Sequence, residues 1–301
     1  GHPPAPVNGT SHCSGMLVTR SAILCQVLAS ATGHFGRSTE PDASFEQVIR
    51  MRANVQTNMI TLVLANYGFH DIVMNWAYHA KRVGGMDNTI LVALDKEEHK
   101  LLHDYGMPVF FDDNMTATSD SQTFFDRGHH KIVMYKWKLA LRVLQAGLNV
   151  LVTDADVLWL RNPMPYILGL QGNCSMVAAT DDGLDISQPT WVNTGFFYLK
   201  YSTQNLLLLH TFCKYAAAEY GEDVGDQLKW NDFIKKFMHA VSGDDRCLNY
   251  AKGKIMLNLL MLPARLFMNF RHWSDAMRKM RPEVVTLHFN WLNGIDDKRR
   301  E

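Results

Sequence analysis

Residues 149–156 read Asn-Val-Leu-Val-Thr-Asp-Ala-Asp, and the fold turns on how this stretch is read. Val150-Leu151-Val152 is the apolar centre of a strand spanning 149–153, the composition of a strand buried on both faces. It runs straight into Asp154 and Asp156. In a parallel sheet, ligands bind at the edge where the strands end. Two carboxylates two residues apart point to the same side of an extended chain. Their charges repel unless a cation lies between them. Oxygen donors suit a hard divalent ion, and Mn²⁺ or Mg²⁺ keeps coordination positions for diphosphate oxygens. Asp154 and Asp156 are therefore the expected metal ligands, beside a phosphorylated ligand. The blander alternative is a solvated loop, because Asp-x-Asp is common by chance; the buried strand before it favours the metal.

Upstream, the same alternation repeats. Met59–Ala65 reads as a buried strand, followed by a helix over about Asp71–Val83. A strand over Thr89–Leu94 precedes a helix over Lys96–Tyr105, and Val109–Phe111 is a short third strand. Asp112–Gly128 is polar and long for a connector. A helix over His130–Ala146 carries apolar residues at Val133, Trp137, Leu141 and Leu144, with Gly147 placed to cap it. Four strand–helix alternations predict an α/β fold with a mostly parallel sheet flanked by helices. Downstream, strands are expected over Met176–Thr180, Val192–Lys200, Lys254–Leu262 and Val284–His288. Helices are expected over Gln204–Tyr220 and Gln227–Ala240. Residues 1–58 read as an N-terminal leader with helices over Met16–Ala31 and Phe45–Asn54, and 59–301 as one continuous domain.

Composition narrows the function. The chain has 301 residues, 47% hydrophobic and 20% charged, enough to bury a full core. Thirty basic residues balance thirty acidic ones, which does not suit a protein that grips nucleic-acid backbone. No apolar run reaches a membrane span; Met16–Ala31 is broken by Arg20 and Gln26. Gly1-His2-Pro3-Pro4 does not resemble a signal peptide, so any anchor is expected to have been removed upstream. Five cysteines (Cys13, Cys25, Cys174, Cys213, Cys247) lack zinc-site spacing and allow at most two disulfides. Sequons at Asn8, Asn114 and Asn173 compare with roughly two expected by chance.

The segment Asn149–Pro163 closely resembles the centre of the nucleotide-diphospho-sugar transferase domain of glycosyltransferase family 77. Further blocks agree in order: Ile60–Asn66, Leu91–Asp95, Lys136–Leu144, Val192–Tyr198, Asp226-Gln227 with Asn231, and His288–Trp291 with Gly294 and Lys298. The resemblance covers about residues 59–298 and leaves 1–58 unmatched. It implies a GT-A type, Rossmann-like mixed sheet, a UDP-sugar donor, a divalent cation and retention of anomeric configuration. It also implies a glycoprotein or cell-wall polysaccharide acceptor and the secretory pathway of plants or algae. The expected address is the Golgi lumen, with a type II anchor as the only membrane contact.

The resemblance assigns roles, and several residues keep a plainer alternative. His288 is the third metal ligand, or a structural histidine. Lys298 neutralises the departing diphosphate, or belongs to the exposed charge run 296–301. Lys138 reaches the nucleotide, or extends from the helix surface. Asn66 hydrogen-bonds the base and Tyr67 stacks on it, or both form a strand-to-helix turn. Asp95 binds base or ribose, or caps the helix that starts at Lys96. Asn193 and Gly195 line the sugar pocket, and Gly195 admits close backbone approach. Asp226 and Gln227 stand beside the transferred sugar, or cap a helix. Asp181 and Asp182 contact sugar hydroxyls, or form a turn. Retention proceeds through a carboxylate nucleophile or, as favoured, by front-face attack with Asp226 and Gln227 steadying the sugar cation. The aromatic run Trp191, Phe196, Phe197, Tyr198 is expected to be mostly core. A pentose (arabinose or xylose) is the expected sugar, with galactose as the alternative. A nucleotidyltransferase would need a glycine-rich loop after the first strand, where Ala65–His70 has one glycine. A GT-A domain that only binds glycans or partners is the non-enzymatic alternative.

Overall fold

Strands rich in Val, Ile and Leu on both faces need cover on both faces, and this requirement shapes the molecule. The computed structural model describes residues 43–113, 127–183, 190–221, 223–273, 283–290, 292 and 298. The expected helix over Met16–Ala31, Cys13, Cys25, the sequons at Asn8 and Asn114, and Gly294 lie outside them.

The helices are α1 (Phe45–Arg52), α2 (His70–Arg82), α3 (Lys96–Asp104), α4 (Arg127–Gln145), α5 (Met164–Gln171), α6 (Thr203–Tyr220) and α7 (Asp226–Asp232). The strands are β1 (Met59–Ala65), β2 (Thr89–Ala93), β3 (Val109–Phe111), β4 (Asn149–Thr153), β5 (Val157–Trp159), β6 (Met176–Thr180) and β7 (Val192–Leu199). They continue as β8 (His239–Ala240), β9 (Leu248–Lys252), β10 (Ile255–Met261), β11 (Phe267–Asn269) and β12 (Thr286–His288). The main sheet runs β3-β2-β1-β4-β7-β6-β10-β9-β8. All of its strands except β7 and β9 point the same way, the mixed, mostly parallel sheet expected from the sequence.

One face of this sheet presents Ile60, Leu62, Ile90, Val92, Val150, Val152, Phe197 and Leu199 to the core. There α4, α6 and α7 meet it through Trp137, Phe212 and Trp230; Trp137 stacks on Phe197 at 4.3 Å and on Trp230 at 4.6 Å. Phe45, Val48 and Ile49 of α1 join the same core, and Ser44 caps that helix reciprocally with Gln47. The alternate residues, such as Val63, Leu91 and Leu151, are buried as well. On that side Trp76 of α2 meets Trp159 of β5, which meets Phe196. Phe196, Phe197 and Tyr198 are core, as expected, while Trp191 is half-buried beneath the Lys235 ammonium.

Parallel strands end at a common edge. Asn66, Asp95, Asp154 and Asp181 follow β1, β2, β4 and β6 there, and β7, running the other way, begins there. Between Ala178 and Ala179 the β6–β7 register jumps from Phe197 to Asn193, so Thr194-Gly195-Phe196 leaves the β6 ladder. Such irregularities re-aim side chains beside functional sites. A second sheet, β11-β12-β5, lies next to this edge in sequence: His288 is in register with Val157 and with Asn269.

Two expected elements differ. The helix over Gln227–Ala240 stops at Asp232; a wide turn over Phe233–Phe237 follows, closed by Met238 N–H on the Phe233 carbonyl, and His239–Ala240 joins the sheet edge as β8. Stacking of Phe233 on Phe237 at 5.0 Å accompanies the wider turn. The last strand is confined to Thr286–His288, although Val284 and Val285 are buried before it. Short elements without clear periodicity (α5, β5, β9 and β11) fill what the sequence shows only as irregular chain.

Candidate active site

Asp154 leaves β4 with its N–H on the Gly195 carbonyl at 2.7 Å, and the Val157 N–H closes a turn onto the Asp154 carbonyl at 3.1 Å. This turn and the β5–β12 pairing set His288 against the acidic pair. One donor atom each from Asp154, Asp156 and His288 lies within 4.8 Å of the others. His288 Nε2 is 3.3 Å from Asp156 Oδ1, and Lys298 Nζ donates to Asp156 Oδ2. Burial alone would raise the Asp156 carboxyl, but the Lys298 ammonium and the His288 ring hold it far below the usual carboxylate range.

A Cβ on Gly195 would stand 2.3 Å from His288 Cε1 and 2.8 Å from Asp154 Oδ2. Only glycine lets β7 pass this close to the triad. His288 Nδ1 is buried without a partner among the described residues. Two carboxylates and an imidazole, gathered over a position where no side chain fits, suit a divalent cation with mixed oxygen and nitrogen donors.

Behind the triad, Lys136 is only 3% exposed. Its Nζ lies 3.1 Å from Asp154 Oδ1 and 3.2 Å from Asp226 Oδ2. Trp137 Nε1 donates to the same Asp226 oxygen at 2.8 Å. Burial by itself would lower the lysine, but Asp154 and Asp226 outweigh it and keep the ammonium charged beyond its ordinary range. Three carboxylates (Asp154, Asp156, Asp226) thus face two ammonium groups (Lys136, Lys298), a surplus of negative charge that a cation offsets.

Asn193 and Gln227 reach the same neighbourhood from β7 and α7. Asn193 Nδ2 donates to Asp181 Oδ1 at 2.7 Å, and Gln227 Nε2 to Asp181 Oδ2 at 2.8 Å. One open cleft is lined by Asn66, Lys136, Asp154, Asp156, Gly195, Asp226, Gln227, His288 and Lys298, with apolar walls from Phe69, Leu94 and Ile132.

The family model for nucleotide-diphospho-sugar transferases matches residues 84–301. The chain belongs to that family. It is 27% identical over 248 residues to beta-arabinofuranosyltransferase RAY1 of Arabidopsis thaliana, covering 78% of this chain and 44% of the relative. It is 27% identical over 262 residues to arabinosyltransferase XEG113 of the same plant, covering 81% of this chain and 39% of the relative. The chain therefore spans less than half the length of either relative. Among solved structures, glycosyltransferase GlyE of Streptococcus pneumoniae TIGR4 is similar at 12% identity and a TM-score of 0.47, over 76% of this chain and 54% of that one.

Within this nucleotide-diphospho-sugar transferase domain, most residues singled out in the sequence converge, and four stand apart. Asp182 takes the Trp191 N–H at 2.8 Å, so the turn alternative describes its contacts. Lys138 is exposed on the far side of α4, close enough to Cys213 to act on its thiol. The lysine that reaches the cleft is Lys136, which shares a buried stripe with Val133, Ala140 and Val143. A lysine on an apolar helical stripe was a readable signal. Asp95 caps α3 through the Glu98 N–H at 2.8 Å and takes the Tyr67 N–H at 2.7 Å, so the helix-cap alternative describes its contacts. Tyr67 is 45% exposed, and Phe69 supplies the aromatic wall instead. Phe69, Thr194 and Asn290 are further cleft residues to which the sequence assigned no role; Thr194 and Asn290 stand in the blocks Val192–Tyr198 and His288–Trp291, whereas no local pattern marks Phe69.

Proposed function

We propose that this chain is a divalent-metal-dependent, retaining glycosyltransferase. It moves a sugar, a pentose such as arabinose or xylose, from a UDP-sugar to a glycoprotein or cell-wall glycan. The observation that carries this reading is the Asp154–Asp156–His288 triad closed over by Gly195 at the carboxyl edge of the sheet. Asp154, Asp156 and His288 would hold Mn²⁺ or Mg²⁺, which when bound offsets charge on the diphosphate. Lys298, already at Asp156, adds a second positive charge for the leaving group. Asn66 and Phe69 suit the nucleotide end of the cleft. Asn193 and Gly195 form the sugar end with Asp226 and Gln227. Asp226, held by Lys136 and Trp137, supplies negative charge where a sugar cation develops. A carboxylate held in that way favours front-face attack over a covalent intermediate.

Residues 59–301 are proposed to carry the reaction, with 1–58 as leader and helices. The disulfide between Cys174 and Cys247 supports an oxidising compartment, in keeping with a Golgi lumen address and a type II anchor upstream. Among the described residues, no helix is long and apolar enough to cross a membrane.

Release of UDP from UDP-arabinofuranose, UDP-xylose and UDP-galactose tests the proposal, with Mn²⁺ and with chelator. Metal-dependent turnover of one donor, lost in Asp156→Ala, is expected. A folded protein that turns over none of them, but still binds glycans, favours the non-enzymatic alternative.

A further inference from the structure

Asp181, one residue past the end of β6, is a meeting point for four side-chain amides. Its Oδ1 accepts from Asn193 Nδ2 at 2.7 Å, Asn290 Nδ2 at 2.9 Å and Asn269 Nδ2 at 3.3 Å. Its Oδ2 accepts from Gln227 Nε2 at 2.8 Å. The amides come from four separate segments: the start of β7, the first turn of α7, the end of β11 and the residues after β12. An ionised carboxylate only accepts, so each amide must turn its NH₂ toward Asp181 and its carbonyl oxygen away.

Two of those oxygens have protein partners. Asn193 Oδ1 takes the Gly195 N–H at 2.8 Å, and Gln227 Oε1 takes the Thr194 N–H at 3.2 Å. Both amides thereby brace the irregular stretch of β7 that passes the metal triad. The oxygens of Asn269 and Asn290 are buried and have no partner among the described residues. Buried acceptors are rarely left so. Asn290 lines the same cleft as Gln227 and His288, so an unsatisfied acceptor belongs to a residue at the cleft wall. Three donors crowd Oδ1 and one meets Oδ2, so the Asp181 carboxylate serves chiefly to orient the amides.

We propose that Asp181 is a positioning residue, holding the Asn290 amide so that its carbonyl oxygen accepts a hydrogen bond from a hydroxyl of the transferred sugar. This rests on the transferase reading of the cleft. It predicts an effect confined to the sugar, because UDP lacks that group and needs neither residue.

Calorimetric affinities for UDP and for UDP-sugars, each with Mn²⁺, separate the cases in the wild type, Asp181→Asn, Asn290→Ala and the double variant. The probe is whichever of UDP-arabinofuranose, UDP-xylose and UDP-galactose the wild type binds. Asp181→Asn keeps the size but replaces an acceptor with a donor, so an amide must turn over. Affinity for UDP should stay within about twofold in every variant, and affinity for the UDP-sugar should fall about tenfold in each single variant. The double variant should lose no more than a single one, since both changes remove the same hydrogen bond. Equal losses for UDP and UDP-sugar, no loss for either, or single losses that multiply in the double variant would overturn the proposal and leave the transferase reading standing. A wild type that binds none of the UDP-sugars overturns that reading, and this proposal with it. Should Asp181→Asn fail to fold, Asn290→Ala alone must show the sugar-selective loss, and its absence overturns the proposal.

Discussion

Gly195 shows how much a single missing Cβ can matter. Its neighbours are the ring of His288 and the carboxylate of Asp154, both closer than any real Cβ tolerates. Gly195→Ala must push His288 and Asp154 apart, and overpacking of this kind costs about 1–3 kcal/mol. We expect a modest loss of stability in urea unfolding, together with at least about tenfold weaker Mn²⁺ binding by titration calorimetry. Wild-type Mn²⁺ affinity in this variant would show that the triad is not the metal site. The sequence made this position visible because Asn193-Thr194-Gly195 stands at the start of an apolar strand. It offered Asp181 only as a contact to sugar hydroxyls or a turn residue, because its partners Asn193, Gln227, Asn269 and Asn290 are scattered over 98 positions, from Asn193 to Asn290 counted inclusively. Convergence of that kind exists only once the strands are in register.

At the scale of elements, α4 decides which lysine serves the cleft. A helix turns about 100° per residue, so Lys136 and Lys138 face different surroundings although they are two residues apart. Lys136 is locked between Asp154 and Asp226, whereas Lys138 is in solvent. Lys136→Met leaves Asp226 buried without its cation and should cost about 3 kcal/mol; Asp154, partly solvated, loses less. Lys138→Met should shift stability by less than about 0.5 kcal/mol and leave donor turnover near wild type. Chemical denaturation of the two variants in parallel checks this, and equal effects would contradict the geometry. The long periodic helices and buried strands were legible because burial imprints its period on the sequence. The end of α7 at Asp232 was not, because the aromatic residues Trp230, Phe233 and Phe237 continue a helical spacing through a wider turn. Three-residue strands such as β5 and β11 are too short to carry a period, yet they bring His288 and Asn269 to the site.

Across the whole molecule, the Cys174–Cys247 disulfide joins the turn before β6 to the turn before β9, 73 positions apart in sequence. Closing such a loop typically stabilises a fold by roughly 2–5 kcal/mol. Reduction, or Cys174→Ser with Cys247→Ser, should lower the melting temperature by at least about 5 °C. Cys213→Ser, at a half-buried unpaired thiol, should change it little. Spacing alone could not choose this pair among five cysteines, because disulfide partners are set by tertiary proximity. The same proximity assembles the cleft from β1, α4, β4, β7, α7 and β12 at one sheet edge, where a nucleotide-sugar and a divalent ion would meet. The most direct test is thermal denaturation with UDP-sugars, with and without Mn²⁺, on the wild type and Asp156→Ala. A ligand that binds only the folded state at a hundred times its Kd adds about 2.7 kcal/mol, or roughly 5 °C or more. The account predicts such a rise with one UDP-sugar, dependent on Mn²⁺ and absent in Asp156→Ala. A folded wild type whose melting temperature no UDP-sugar raises, or one raised equally in Asp156→Ala, would contradict it.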